Sequence, residues 1–277
     1  MIPKLLLEIS NPPETLHVLG ALPSDDIPKI AVVGTRKASD YGRGLAREIS
    51  RNLASAGLVI VSGLAMGIDT AVHEGCLEAG GKTIAVLACG VDKIYPAQNK
   101  SLADKIIASG GAIISEFPNG TPPYKNNFLV RNRIISGLSL ATVIIEAPFK
   151  SGAVSTAGHA AEQGREVFVV PGPVNHPGFG GSHLLVRDGA HLATSARDIL
   201  EDLGLIAVSP VPLPLINSFS GNPLASAIVK FIGENCPPVT LEQLIVATNL
   251  SPEEILRTLS RLIIEGILKE SSGGYSL

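Results

Sequence analysis

The first candidate for chemistry in this sequence is a loop led by a glycine, at the end of an apolar run. Residues 32–42 read VVGTRKASDYG, so Gly34 is followed by Thr35 and Arg36, and then by Ser39 and Gly42. A glycine lets the backbone approach a phosphate closely, and the free N–H groups of a following helix point at such an anion. Arg36 adds a cation that can bind phosphate through two hydrogen bonds, and Thr35 and Ser39 add hydroxyl donors. We interpret the loop as a phosphate-binding site; the alternative is an ordinary strand-to-helix turn with solvated cations.

The spacing of this loop differs from that of the two common nucleotide-binding loops. The dinucleotide fingerprint G-x-G-x-x-G requires glycine where this sequence has Arg36 and Ser39. The loop does not match the pattern G-x-x-x-x-G-K-[ST] either. The spacing therefore argues against a nicotinamide-dependent dehydrogenase, and no cofactor is predicted.

A second candidate lies in residues 122–139, PPYKNNFLVRNRIISGLS. Residues 117–145 contain no acidic residue, whereas Lys125, Arg131 and Arg133 contribute three positive charges. Cations beside side chains that can stack are typical of proteins that bind single-stranded nucleic acid. The interleaved aromatic and asparagine residues are Phe117, Tyr124, Phe128, Asn126, Asn127 and Asn132.

This second stretch also has a purely structural interpretation. Arg131 and Arg133 would then form salt bridges, and Phe128 would belong to the core. For Arg133 the two interpretations stay open. For Lys125 and Phe128 we favour binding, because the Pro-Pro pair before them is expected to place them on a loop rather than in a helix.

A third candidate follows another apolar run in residues 146–164, EAPFKSGAVSTAGHAAEQG. The run ends at Glu146, Lys150 follows on a loop, and Ser151 and Gly152 open a helix. The start of a helix attracts anions, and Lys150 adds a positive charge beside it. We interpret these residues as part of the same anion site, with a solvated Lys150 as the alternative.

Asp69 and His73 are spaced i, i+4 within residues 62–75, SGLAMGIDTAVHEG. Such a pair on one helix face can bind a metal or act as an acid and a base. No third ligand stands at a matching spacing, and no carboxylate–His–Ser set is apparent. We therefore favour a structural role in which Asp69 caps or holds a loop, and we predict neither a metal site nor a catalytic residue.

Six apolar runs of strand length must position these side chains. They are rich in Val and Ile with little alternation, which is typical of parallel strands buried on both faces. Amphipathic stretches such as residues 42–56 separate them, so the pattern predicts an α/β fold with a doubly wound, mostly parallel sheet. Ligands of such sheets bind beyond the carboxyl ends of the strands, which places the candidate residues at one edge. The runs are residues 29–34, 58–63, 83–90, 111–115, 141–146 and 166–172.

Composition restricts the class of protein. The 277 residues carry a formal net charge of −3, so any nucleic-acid site must be a local patch. Cys76, Cys89 and Cys236 stand far apart, which excludes a thiolate zinc site and gives no disulfide framework. No apolar stretch reaches the roughly 18 residues of a membrane span. We expect a soluble cytoplasmic protein.

The C-terminal part of the sequence predicts a separate small domain. Residues 207–223, AVSPVPLPLINSFSGNP, are proline-rich and uncharged, so we expect a linker there. Residues 224–277 then contain one helix, a second helix capped at Thr240, and a third that starts at Ser251 with Pro252 and Glu254 in its first turn. The last twelve residues, GILKESSGGYSL, are expected to form a hairpin. This order predicts a winged helix-turn-helix domain.

Several motifs together resemble the DNA-processing protein A family, also called DprA or Smf. In chain order they are GTRKASDYG, SGLAMGIDTAVHEGCLEAGGKTIAVLACGVDKIYP, ISEFPNG, RNRIISGLS, EAPFKSGAVSTAGHAAEQGREVFVVPGPV and GGSHLLVRDGA. The resemblance covers about residues 12–203. Two local departures are Leu129, where many relatives have proline, and His183, where they have asparagine. Members usually also carry an N-terminal helical domain, which this sequence is expected to lack.

This resemblance implies an extended Rossmann-like domain over residues 1–206 that binds single-stranded DNA. It implies a homodimer that loads the recombinase RecA onto incoming strands during natural transformation and helps to displace single-strand-binding protein. It implies no catalytic activity. By the same resemblance, Arg36, Lys125 and Lys150 belong to the DNA pocket and Phe128 contacts a base.

The predicted winged-helix domain is acidic. Residues 221–277 contain the cations Lys230, Arg257, Arg261 and Lys269 and the anions Glu234, Glu242, Glu253, Glu254, Glu265 and Glu270, a net charge of −2. Its third helix begins Ser-Pro-Glu-Glu, and two glutamates in the first turn would repel the phosphates beside the bases. We therefore expect this domain to contact a protein rather than to read a DNA sequence.

The competing interpretation is a Rossmann-like enzyme acting on a nucleoside phosphate, of the phosphoribohydrolase type. That family carries P-G-G-x-G-T-x-x-E, in which the glutamate does chemistry. The corresponding region of this sequence, VVPGPVNHPGFGGSH, contains no glutamate. The non-catalytic interpretation is therefore preferred.

Overall fold

The structure is a computed structural model that describes residues 2–206, 223–234, 238–248, 250–264, 268–271 and 274–276. The chain divides into two compact units, Met1–Leu205 and Ile206–Leu277. The predicted linker lies outside the described residues except for Pro223, which begins a helix. No helix in the described ranges is long and apolar enough to cross a membrane.

The first unit contains an eight-stranded sheet in the order β1-β5-β4-β3-β2-β6-β7-β8. All neighbouring strands are parallel except β1, which pairs antiparallel with β5. The predicted doubly wound, mostly parallel sheet is confirmed. The strands are β1 His17–Gly20, β2 Lys29–Val33, β3 Val59–Ser62, β4 Thr83–Val86, β5 Ala112–Ser115, β6 Ala141–Ile144, β7 Glu166–Val169 and β8 His191–Leu192.

All six predicted strands are present, and the sequence analysis missed only the two edge strands of this sheet. Strand β1 is mostly exposed and β8 is exposed at both residues. An edge strand with little buried surface needs no apolar run, so it leaves no hydrophobic pattern to detect. The six inner strands are buried at nearly every residue, which explains why they were detectable.

Eight helices cover the faces of this sheet. One sheet face carries Ile30 and Val32 of β2 and packs against α2, α3 and α8. The other carries Ala31 and Val33 and packs against α1, α5 and α6. The helices are α1 Lys4–Leu7, α2 Asp40–Ser55, α3 Ile68–Glu78, α4 Lys100–Ala108, α5 Lys125–Gly137, α6 Gly152–Glu162, α7 Gly180–Arg187 and α8 Ala196–Asp202.

The start of α5 corrects one prediction. Lys125 and Phe128 lie in the first turn of this helix, not on a loop. The two prolines end before Tyr124, which is extended (φ −65°, ψ 144°) and forms the N-cap. Proline restricts the residue before it and its own position, but it leaves a helix free to start shortly afterwards.

The second unit has three helices followed by an antiparallel hairpin, which is the predicted element order. They are α9 Pro223–Glu234, α10 Leu241–Thr248, α11 Pro252–Ile264, β9 Lys269–Ser271 and β10 Gly274–Ser276. Thr240 and Ser251 form the predicted caps: their hydroxyl oxygens accept from the N–H groups three residues later, each at 3.4 Å. The unit has an apolar core of its own, with Ile228, Leu244 and Leu259 at its centre. The predicted tip of the hairpin lies outside the described residues.

A buried carboxylate joins two loops at the carboxyl edge of the sheet. Glu146, which follows β6, is 1% exposed. Its Oε2 accepts from the backbone N–H of Ser39 at 3.0 Å and from its hydroxyl at 2.7 Å. The same hydroxyl oxygen caps α2 by accepting from Gly42 N at 3.0 Å. A Cβ atom on Gly42 would overlap Glu146 Oε2, so this contact requires glycine there.

Substitution of two glycines of α2, one at the Glu146 contact and one away from it, tests this contact. Gly42→Ala is expected to lower the free energy of unfolding by about 1–3 kcal/mol, because the added methyl displaces a buried hydrogen-bonded carboxylate. A methyl group on Gly44, two residues later, would meet no neighbouring element within 4 Å. Gly44→Ala is expected to raise the free energy of unfolding by about 0.5–1 kcal/mol through helix propensity. Urea denaturation of both variants gives the comparison, and equal effects would contradict the assigned role of Glu146.

Candidate functional site

The order of the strands predicts where a ligand binds. The chain runs outward from β2 through β3 and β4 to β5 and then returns to β6 on the other side of β2. The loops after β2 and β6 therefore separate, and the crevice between such loops is the usual ligand site of an open α/β sheet. A cavity of about 670 Å³ lies at this place. It is lined by the loops that follow β2, β3 and β4, by one side of α5 and by the N-terminal part of α6.

The loop after β2 contributes Gly34, Thr35 and Arg36 to the cavity. A Cβ atom on Gly34 would meet the side chain of Ile68, so glycine allows α3 to pack closely against the loop. The backbone N–H of Thr35 donates to the carbonyl oxygen of Glu146 at 2.7 Å, which ties the loop to the end of β6. The Arg36 side chain is exposed to solvent.

Arg36 and Phe128, which the sequence analysis selected from separate motifs, are in contact. The guanidinium carbon of Arg36 lies 4.6 Å from the centre of the Phe128 ring. A guanidinium over an aromatic face is attracted by the ring quadrupole. Tyr95 meets the same ring edge-on, with 5.8 Å between ring centres, and is 45% exposed. These three side chains form what we call the aromatic platform.

Tyr95 was missed as a site residue. It follows β4 in the sequence VDKIYP, beyond the carboxyl end of a buried strand. That position is the available signal, because the carboxyl ends of parallel strands meet at one edge. An isolated tyrosine in a loop carries no charge or repeat to draw attention to it.

Arg131 supports the cavity from inside. It is 3% exposed, and its Nη1 donates to the carbonyl oxygens of Gly63, at 2.9 Å, and of Val86. These two carbonyls stand at the carboxyl ends of β3 and β4. Burial lowers the pKa of Arg131 to about 10, and the nearby Asp69 carboxylate opposes this shift. Arg131 therefore lines the cavity while it ties two strand ends together.

Arg133, by contrast, has a structural role outside the cavity. Its guanidinium forms an ion pair with Glu116, and the two side chains are 12% and 14% exposed. Arg133 is not among the residues that line the cavity. The salt-bridge interpretation therefore describes this arginine.

Asp69 and His73 occupy different places although they share α3. Asp69 is buried, lines the cavity and accepts from the backbone N–H of Ala65 at 3.3 Å. Burial raises the pKa of Asp69, and the positive charge of Arg131 opposes the rise. His73 is fully buried away from the cavity. In the described part of the chain, no group of three His, Cys, Asp or Glu side chains is placed to hold a metal.

The surroundings of His73 keep its ring neutral. Its Nδ1 lies 2.8 Å from the hydroxyl oxygen of Thr83, and that hydroxyl donates to the carbonyl oxygen of Ile60 at 2.7 Å. The Thr83 proton is therefore engaged, so Nδ1 of His73 must carry its own proton and donate it. Burial lowers the pKa of His73 to about 3, and the charge of Arg131 adds to this effect.

The N-termini of two helices complete the cavity wall. Ser151 caps α6 by accepting from the backbone N–H of Val154 at 3.3 Å, and Ser151 and Gly152 both line the cavity. Lys125 lies in the first turn of α5 and also lines it. Two helix N-termini and a lysine make this wall favourable for anions.

The structure brings together eight of the ten selected residues. Ser39 lies outside the cavity lining, and its hydroxyl is engaged by Glu146 and by the cap of α2. Lys150 is exposed and lies immediately beside the lining residue Ser151, with a left-handed backbone (φ 56°). The eight residues in the lining are Gly34, Thr35, Arg36, Lys125, Phe128, Arg131, Ser151 and Gly152.

The cations of this site are available to a ligand. Among the residues that the structure describes, no carboxylate forms an ion pair with Arg36, Lys125 or Lys150. Unpaired cations beside the half-buried Phe128 ring and the exposed Tyr95 ring suit a ligand that carries both negative charge and a flat ring.

Known proteins are similar to this chain in sequence and in fold. A sequence model of the family described as DNA recombination-mediator protein A matches residues 1–204. Protein Smf of Synechocystis is 45% identical over 208 residues, which are 74% of this chain and 52% of that protein. Protein Smf of Escherichia coli is 38% identical over 283 residues, covering 99% of this chain and 74% of that protein. The chain thus spans about half the length of the first relative and three quarters of the second.

A solved structure matches the first unit. DNA processing protein A from Helicobacter pylori, described for its single-stranded DNA binding mode, superposes with a TM-score of 0.66 at 33% identity. The match covers 74% of this chain and 94% of that one.

The low pKa of His73 predicts a loss of stability in acid. The folded protein keeps the ring neutral down to about pH 3, whereas the unfolded chain binds a proton below 6.5. The free energy of unfolding should therefore fall as the pH drops from 6.5 towards 3, by about 2 kcal/mol at about pH 5. His73→Asn keeps a donor near the Nδ1 position but cannot titrate.

Urea denaturation of the parent protein and of His73→Asn, at about pH 7 and about pH 5, measures the contribution of His73 to the free energy of unfolding. Every other titrating group is common to both proteins, so the difference between their pH dependences isolates His73. The variant should lose less stability than the parent protein between the two pH values. Equal losses would mean that His73 titrates normally in the folded state.

Proposed function

Because the chain belongs to the DNA recombination-mediator protein A family, which includes the DprA and Smf proteins, we propose that its cavity binds single-stranded DNA. The observation that carries the proposal is the aromatic platform with unpaired cations around it. Arg36 lies over Phe128, and Lys125 shares the cavity wall. A single strand supplies phosphates for the cations and unpaired bases for the ring.

The phosphates of the strand are assigned to the wall and the bases to the platform. Arg36 and Lys125 neutralise phosphates, with backbone N–H groups near Gly34 and at the start of α6 as further donors. Lys150 extends this positive surface just outside the cavity. A base stacks on Phe128 or Tyr95, which requires that it has left a base-paired stack. Paired bases of a duplex are not free to do so, and this supports a preference for single strands.

We assign no bond cleavage to this site. Asp69 is the one carboxylate that lines the cavity within the described residues, and it is held by Ala65 and Arg131. Glu146 is engaged by Ser39 outside the lining. A nucleoside-phosphate hydrolase needs an available acid or base near the bond it breaks. Incubation with nucleoside monophosphates followed by chromatography tests this assignment, and product formation would overturn it.

For the whole protein we propose a mediator role in the cytoplasm during DNA uptake. Acting as a homodimer, it holds an incoming single strand and delivers it to the recombinase RecA, helping to displace single-strand-binding protein. Membership of the recombination-mediator family supports this role. The second unit is assigned to protein contact, because Glu253 and Glu254 are exposed in the first turn of α11. Carboxylates there oppose the approach of a DNA backbone.

Arg36→Ala is the direct test of the binding site. It should weaken binding to single strands of any sequence and lower the salt dependence, d log K/d log[salt], by about 0.7, the value for one phosphate contact. Fluorescence anisotropy with single- and double-stranded oligonucleotides of equal sequence, at two salt concentrations, measures both quantities.

Arg51→Ala is the matched control for charge. Arg51 is an exposed arginine of α2, about 16 Å along the helix from its N-terminal residue. Its removal should leave affinity and salt dependence unchanged. If both variants lose affinity equally, the effect is general electrostatics and the assigned cavity is wrong. Unchanged affinity in Arg36→Ala would refute the site.

Deletion of residues 221–277 separates the two units. We expect the affinity for single strands to change by less than about tenfold, since the cavity belongs entirely to the first unit. The second measurement is RecA assembly, followed by its DNA-dependent ATPase activity, on strands coated with single-strand-binding protein. The full chain should accelerate assembly and the deletion variant should do so less. No acceleration by the full chain would refute the mediator role.

A further inference from the structure

A second aromatic side chain at the same sheet edge lies outside the platform. Phe149, on the loop between β6 and α6, is 65% exposed. Its ring packs against Gly180 at the start of α7, where a Cβ atom would overlap the ring. One part of the ring is thus held in place while most of it faces solvent. A large apolar ring that is both fixed and exposed is a suitable surface for stacking.

Phe149 lies close to the cavity along the chain. Only Lys150 stands between it and Ser151, which lines the cavity, so the Cα atoms of Phe149 and Ser151 are at most about 7.6 Å apart. The platform residue Tyr95 follows β4, whereas the contact of Phe149 with Gly180 places it between the loops after β6 and β7. From β4 to β7 the sheet order counts four steps, which span about 19 Å. Tyr95 and Phe149 therefore follow strands on opposite sides of β2, and the loop that carries Arg36 follows β2 itself.

A cation lies between Phe149 and the cavity wall along the chain. Lys150 follows Phe149 directly, is exposed, and forms no ion pair within the part of the chain that the structure describes. Its backbone adopts the left-handed region (φ 56°), which is strained for a lysine. Strain of this kind is retained where the surroundings hold a side chain in a useful position. Ring, cation and cavity wall thus follow one another along a single loop.

We infer that Phe149 is a second stacking site for the same single strand. The inference rests on the function proposed above. The strand would place one base on the platform, a phosphate near Lys150, and a later base on the exposed ring of Phe149. The ligand class is a single-stranded oligonucleotide long enough to span both rings. This site extends the binding surface over the loops after β6 and β7.

Phe149→Ala should weaken binding of an oligothymidylate of about 12 nucleotides by about fivefold or more, the loss of one stacked base. The salt dependence should not change, because no charge is removed. Phe149→Leu keeps the apolar bulk without a ring and should show the same loss, whereas Phe149→Tyr should bind like the parent protein. Val174→Ala is the matched control, since Val174 is an apolar residue 90% exposed on the loop after β7.

The absence of tryptophan from the sequence allows a direct readout. Phe149→Trp introduces a single tryptophan, whose emission should be quenched and shifted when a base stacks on it. A tryptophan at Val18, on the edge strand β1, serves as the reference that should not respond. Titration with the same oligothymidylate reports contact at the ring independently of overall affinity.

The outcomes separate this inference from the proposed function. The second stacking site alone would be overturned by three results together: Arg36→Ala loses affinity, Phe149→Ala binds like the parent protein, and the emission of Phe149→Trp does not respond to the oligonucleotide. That result would instead indicate that the exposed ring serves a protein partner. If Arg36→Ala binds single strands as tightly as the parent protein, the proposed function of the cavity is itself refuted. An altered salt dependence in Phe149→Ala would also contradict stacking as the cause.

Discussion

The contact between Glu146 and the loop after β2 is the constraint on which the site depends. Its carboxylate accepts twice from Ser39, and its carbonyl oxygen accepts from the N–H of Thr35. Strands β2 and β6 are neighbours, but the chain leaves them in opposite directions across the sheet, so neither loop is positioned by its own strand alone. A buried charge is stable only when hydrogen-bonded, and this requirement fixes the loop geometry. Arg36 projects from the loop that this contact holds.

Arg131 performs the equivalent task on the other side of the cavity. It ties the ends of β3 and β4 through two backbone carbonyls and lies 5.9 Å from the centre of the Phe128 ring. The Phe128 ring therefore lies close to two guanidinium groups, the buried one of Arg131 and the exposed one of Arg36. Burial explains the different roles of the two arginines. The buried guanidinium of Arg131 donates to backbone oxygens, and the exposed guanidinium of Arg36 is available to a ligand.

The sequence was sufficient for the six inner strands of the sheet and for eight residues of the cavity lining, because both follow from local patterns. Buried parallel strands are continuous apolar runs, and the loops at their carboxyl ends meet at one edge. What depends on distant contacts was not predictable. The engagement of Ser39 by Glu146 joins residues 107 positions apart, and the pairing of Arg133 with Glu116 is set by how α5 packs. Tyr95 became a candidate only when its ring was found against Phe128.

The stacking of Arg36 on Phe128 has a consequence for the kind of ligand that the cavity favours. Moving the guanidinium off the ring costs about 0.5–2 kcal/mol, which is close to the roughly 1–3 kcal/mol that one stacked base contributes. A base alone therefore gains little by displacing Arg36. A base joined to a phosphate offers the released guanidinium a new partner at the same time, so the two contributions add. The geometry thus favours a nucleotide strand over a free base. It also tolerates any sequence, because neither stacking nor the phosphate contact depends on which base is present.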